Sequence, residues 1–115
     1  MRIKYVSKIN KISRSFMIIS QDFGDELKKQ YNVAFGRALR ISRKASEKTQ
    51  ETLAFDTNLD RSYISLLERG KRSPSLHTIA LLSIAMNIAP SHLIRICEEH
   101  LDVAVQELLK KHMMQ

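Results

Sequence analysis

Apolar residues recur along most of this chain at the spacing of helices rather than strands. Tyr31, Phe35, Ala38 and Leu39 fall three or four apart, and so predict a helix from Asp25 to about Lys44 with one buried face. Leu53 with Ala54, and then Ile64 with Leu67, mark two shorter helices between Gln50 and Gly70. A fourth helix follows Pro74 and Ser75, with Ile79, Leu82 and Met86 turned inward and Asn87 as its end; Pro90 suits the first turn of a fifth. In the fourth helix Leu81 and Ile84 are apolar as well, which makes it apolar nearly all round, the pattern of a helix covered on more than one side. Beyond Ile94 the pattern continues through Cys97, Leu101, Ala104, Val105 and Leu108, with Glu98, Glu99, Asp102, Lys110 and Lys111 between them. No Gly or Pro follows Pro90, so one amphipathic helix running to about His112 is expected.

Local signals between Thr49 and Gly70 agree with one another. The Thr49 hydroxyl can cap the second helix, and Glu51 sets a negative charge against that helix's positive end. Ala54 is small enough for a neighbouring helix to cross close over it. Asn58 stands where the chain must turn back through a left-handed residue, and Leu59 is the apolar plug of that turn. Asp60 is placed as N-cap of the third helix, and Gly70 as its C-terminal cap. Two short helices joined by such a turn form a helix-turn-helix. The outward side of the third helix carries Arg61, Ser62, Tyr63, Ser65, Leu66 and Arg69, side chains that can bond phosphates and base edges or touch a thymine methyl.

The ordered series FGRALRISR, TQETLA, LDRSYISLLERGKRSPSLHTI and APSHLI, from about Phe35 to Ile94, resembles the lambda-repressor-like helix-turn-helix family of phage repressors and xenobiotic-response-element type regulators. The resemblance implies an all-α, five-helix DNA-binding domain, here with a helical C-terminal extension. It implies a structural ion pair between Arg43 and Glu68, a phosphate contact from Gln50, and base contacts from Arg61, Ser62, Ser65 and Leu66. Tyr63, Arg69 and Lys71 complete the expected DNA-binding set. Glu47 and Lys48 occupy places that in the family hold a Gly and an apolar residue. Ala89 stands where a capping Ser is common, at a cost on the order of 1 kcal/mol.

Charge divides the chain. Nineteen Lys and Arg against twelve Asp and Glu give +7; residues 1 to 89 carry sixteen against eight, and 90 to 115 three against four. The basic part is the part expected to read double-stranded DNA. The expected organisation is a basic arm over 1 to 24, the DNA-binding domain over 25 to 97 and the extension over 98 to 115. The first segment admits a short strand, an arm along DNA or a poorly ordered terminus. Leu81, Ile84, Cys97, Leu101, Val105 and Leu108 are more apolar surface than one small domain uses, and a homodimer interface is the simplest account, with packing inside one subunit as the alternative. A twofold protein also suits palindromic half-sites. His77, His92, His100 and His112 form no His-x-x-x-His pair, Cys97 lacks a local base, and there is no phosphate-binding Gly-rich loop. No enzyme, metal or cofactor is therefore expected. No apolar run reaches the roughly 18 residues of a membrane span, and a single Cys fits a reducing cytoplasm. The expected function is a dimeric transcription regulator, most simply a repressor. The alternatives are an antitoxin, whose apolar surface would hold a toxin, or a protein-binding adaptor with the same fold.

Overall fold

The computed structural model describes residues 21–103, 105–107 and 110. Five helices make up its frame: α1 (Gln21–Ala45), α2 (Gln50–Thr57), α3 (Arg61–Glu68), α4 (Leu76–Ala85) and α5 (Pro90–Glu99). The all-α, five-helix reading of the sequence describes this frame. α1 starts at Gln21 rather than Asp25, so residues 21 to 24 of the expected arm are helical. Gln21 Nε2 donates to Asp25 Oδ1 at 3.0 Å, and Asp22 lies in the first turn, where a negative charge is favourable. Expectations for residues 1 to 20, and for the side chain of Leu108, lie outside the described residues.

Four helix ends repeat one device. Glu47, Asn58, Gly70 and Asn87 take left-handed backbone at φ 58°, 59°, 71° and 61°. After each, an N–H reaches back five residues: Lys48 to Arg43 O at 3.2 Å, Leu59 to Ala54 O at 3.1 Å, Lys71 to Leu66 O at 2.9 Å and Ile88 to Ser83 O at 3.0 Å. This satisfies carbonyls that the helix leaves open and turns the chain sharply enough for short connections. Starts are capped less evenly. Thr49 and Ser75 each accept the backbone N–H three residues on, at 3.0 Å, whereas Asp60 and Ala89 occupy N-cap positions with no side-chain bond.

The core gathers Phe35, Ala38 and Leu39 of α1, Leu53 of α2, Ile64 and Leu67 of α3, Leu82 and Met86 near α4, and Leu93 and Cys97 of α5. Tyr31 packs on its edge. α1 runs along α5 and crosses α3, and its crossing is close because Gly36 has no side chain. A Cβ there would lie 2.6 Å from the carbonyl oxygens of both Leu67 and Glu68. A mid-helix glycine costs roughly 0.5–1 kcal/mol relative to alanine, and here the cost secures a backbone approach that no other residue permits.

The expected single helix beyond Pro90 is not what forms. α5 ends at Glu99, and helix resumes at Val103. His100 Nδ1 bonds Ile96 O at 3.0 Å, and Gln106 Nε2 donates to Leu101 O at 2.6 Å, so side chains satisfy the backbone at the break. The break lets Leu101 fold inward, where it is 4% exposed. Cys97 is 2% exposed, donates weakly to Tyr31 O at 3.9 Å, and has its thiol pushed up to about 11 by burial and then by Glu98. Cys97 and Leu101, placed on the dimer face by their spacing, therefore belong to the protomer's own core, and Val105 packs against that core. Leu81 is half-buried. The apolar groups left outside near this end are Leu76, Ile84 and Val103, at 82%, 70% and 69% exposure.

Two substitutions test this frame by thermal or urea unfolding. Gly36→Ala should destabilise by about 1–3 kcal/mol or more, because two backbone carbonyls must move. Glu47→Gly should stabilise by about 0.5–1 kcal/mol, since glycine adopts the left-handed turn without a Cβ clash.

Candidate nucleic-acid interface

The outward side of α3 follows from its rotation of about 100° per residue. Ile64 and Leu67 turn into the core, and Arg61, Ser65, Arg69, Ser62 and Leu66 come round on the opposite side. Arg61, Ser62 and Arg69 are exposed, Ser65 and Leu66 half-buried. Tyr63, expected on this face, lies further round the helix beside Leu67, half-buried as Ser65 and Leu66 are, with part of it packed against the core. Lys71 stands exposed just past the Gly70 turn.

A chain of hydrogen bonds fixes this helix to its neighbours. Arg43 Nε donates to Glu68 Oε2 at 2.6 Å and Arg43 Nη2 to Glu68 Oε1 at 3.1 Å, with the two side chains 9% and 2% exposed. The third guanidinium nitrogen donates to Lys48 O at 2.8 Å. One side chain thus ties α1, the loop before α2 and the end of α3. The bonds to Glu68 raise the Arg43 pKa above its ordinary value, against the opposing effect of desolvation. Lys48 itself pairs with Asp56 of α2.

Gln50 continues the chain. Its Nε2 donates to Glu68 Oε1 at 3.0 Å, and its Oε1 accepts from Arg61 Nη1 at 3.2 Å. Glu68 and Arg61 lie two turns apart on one side of α3, and the Gln50 amide spans between them. Gln50, expected only as a phosphate ligand, is thereby also a strut that holds the first residue of α3, with one amide hydrogen still free. At the other end, Ser73 Oγ donates to Asn32 Oδ1 at 2.9 Å and ties the loop after α3 to α1.

The sequence pattern missed three features: the Gly36 crossing and two side-chain contacts. Gly36 carried a usable signal, a glycine in the middle of a helix. The Asn32–Ser73 and Lys48–Asp56 contacts carried none, because they join residues whose spacing says nothing of their proximity. Among the described residues no group of His, Cys, Asp or Glu is arranged to hold a metal ion. No single helix there is long and apolar enough to cross a membrane.

Residues 39–93 match the family described as helix-turn-helix. The chain is 43% identical over 58 residues to control protein C.BamHI of Bacillus amyloliquefaciens, covering 50% of this chain and 69% of that protein. It is 37% identical over 62 residues to control protein C.MunI of Mycoplasma sp, covering 53% and 84%. Among solved structures, the restriction-modification controller protein C.AhdI of Aeromonas hydrophila is similar at 48% identity and a TM-score of 0.53, over 54% of this chain and 94% of that one. The clp gene regulator ClgR of Corynebacterium glutamicum is similar at 26% identity and a TM-score of 0.62, over 74% and 96%.

Glu68→Ala leaves the Arg43 guanidinium buried without its counter-charge. A loss of about 3–5 kcal/mol in unfolding free energy is expected, against about 0–1 for an exposed pair. An unchanged melting temperature would show the pair to be a surface contact in solution.

Proposed function

Since this chain belongs to the lambda-repressor-like helix-turn-helix family of DNA-binding transcription regulators, we propose that it works as a homodimer that reads a palindromic operator and controls a restriction-modification operon. Double-stranded DNA is its partner, and it is a regulator rather than an enzyme. The observation that carries the finer reading is the outward face of α3, where Arg61, Ser62, Ser65 and Leu66 stand clear of the core while Gln50 and Glu68 hold the helix in place. Arg61 suits a guanine edge, the two serines bases of either kind, and Leu66 a thymine methyl. Gln50, Arg69 and Lys71 suit phosphates and set the position of the helix in the groove. Occupancy of a promoter by such a dimer blocks or recruits, and this work belongs in the cytoplasm.

The operon assignment rests on the similarity to C.AhdI, described as a restriction-modification controller protein, beside two similar proteins described as control proteins. The dimer rests on apolar surface: Leu76, Ala80 and Ile84 recur four apart along α4, and Leu76 and Ile84 are mostly exposed. Each such side chain gains about 1.5–3 kcal/mol on burial, so a second copy covering them is favourable. Ile84→Glu should give a folded monomer with much weaker operator binding, measured by light scattering and by titration. A wild-type monomer at tens of micromolar would instead favour the antitoxin reading, with a toxin covering α4.

Selection from a random duplex pool tests the central reading. It should return a palindrome whose half-sites lie about one helical turn apart. Arg61→Ala should then weaken binding to the selected duplex by about 1–3 kcal/mol and to random DNA by less. Equal losses on both would make Arg61 a backbone contact, and no duplex binding at about 50 mM salt would replace the DNA reading with the adaptor one.

A further inference from the structure

We propose that the outer face of α1, carrying Arg37, Arg40 and Lys44, is a second DNA contact that grips the phosphate backbone beyond the base pairs read by α3. This rests on the reading of α3 as the major-groove helix. From Leu27 to Ser46 the chain has six Lys or Arg and no Asp or Glu. Arg43 is committed to Glu68. Arg37, Arg40 and Lys44 are exposed, fall three and four apart on one face, and make no ion pair among the described residues. Like charges at this spacing oppose helix formation, and no ion pair among the described residues offsets them. A polyanion would.

The position of the row selects DNA as that polyanion. Val33, one turn before Arg37 on the same face, lies against Gly70, where a Cβ would meet Val33 Cα at 3.0 Å. Arg69 and Lys71 flank Gly70, so the row on α1 continues from the end of the recognition helix. Gly36 against Leu67 and Glu68, together with the Arg43 pair, keeps α1 rigidly beside that end. Arg37 and Lys44 are separated by a rise of about 10 Å. A strand advances about 3.4 Å per phosphate along the duplex axis, so the row can meet more than one phosphate.

The experiment uses the full chain and the variant with Arg37→Gln, Arg40→Gln and Lys44→Gln together. Glutamine keeps the aliphatic stems and helix propensity, and unfolding curves check the fold. Each protein is titrated with the selected operator duplex trimmed to its bases, and with the same duplex extended by about one turn, or 10 base pairs, on each side. The unmutated protein should bind the extended duplex more tightly, and the variant should gain little or nothing from the extension. On the long duplex the slope of log K against log salt should become shallower by roughly 2–3 per protomer, with base preference unchanged. Equal slopes and an equal gain from extension in both proteins overturn the inference while leaving the α3 reading intact. So does a variant whose base preference changes, because the row would then take part in sequence reading. Failure of the unmutated protein to bind either duplex overturns both readings.

Discussion

The contact on which the rest depends is the pairing of Arg43 with Glu68 under a Gly36 crossing. Both side chains are nearly out of solvent, and a buried ion pair that loses one partner is far worse than no pair at all. The pair therefore specifies as well as stabilises. It forms only when the end of α3 lies across α1 at the distance that Gly36 allows, and when the loop before α2 turns the Lys48 carbonyl toward the guanidinium. The end of α1, the loop that follows it and the end of α3, 25 residues further on, are brought into register by one planar group with its donors in fixed directions. The orientation of the reading helix is a consequence.

Gln50 carries that constraint to the surface. Without it, Arg61 would be a long side chain free to explore many rotamers, and ordering it on a base would cost about 0.5–1.5 kcal/mol. Bonded to the Gln50 amide, it is held near the first turn of α3 before any partner arrives. The structural lock and the reading surface share Glu68 Oε1, which accepts from both Arg43 and Gln50. Rigidity at the core end and presentation at the outer end are parts of one network.

What the sequence made legible was what local chemistry encodes. Asn58, Gly70 and Asn87 announce left-handed turns, Thr49 and Ser75 announce helix starts, and the spacing of Phe35, Leu39, Ile64 and Leu67 announces buried faces; each rests on residues a few positions apart. The tail was not legible because its spacing from Cys97 through Leu101 to Val105 fits a continuous helix as well as a broken one. The burial of Leu101 in the core is a tertiary contact, which the local spacing does not encode. Tyr63 was read only in part: its phenol suits a DNA face chemically, and its position around α3 also packs part of it against the core. The Gln50 bridge was invisible because its partners lie 11 and 18 residues away on another helix.

Glu47 shows how the lock shapes the backbone as well as the side chains. A left-handed residue other than glycine costs about 1–2 kcal/mol, and the other three such turns use the residues that bear it best, Asn and Gly. At Glu47 the turn must still form, since it swings Lys48 round so that its N–H bonds Arg43 O while its carbonyl accepts from the Arg43 side chain. Arg43 thus holds Lys48 from both its main chain and its guanidinium, and a buried charge-assisted bond is worth roughly 1.5–3 kcal/mol, enough to hold the strained turn. The strain at Glu47 is sustained by the same pair that sets α3, so the loop conformation and the angle of the reading helix are specified together.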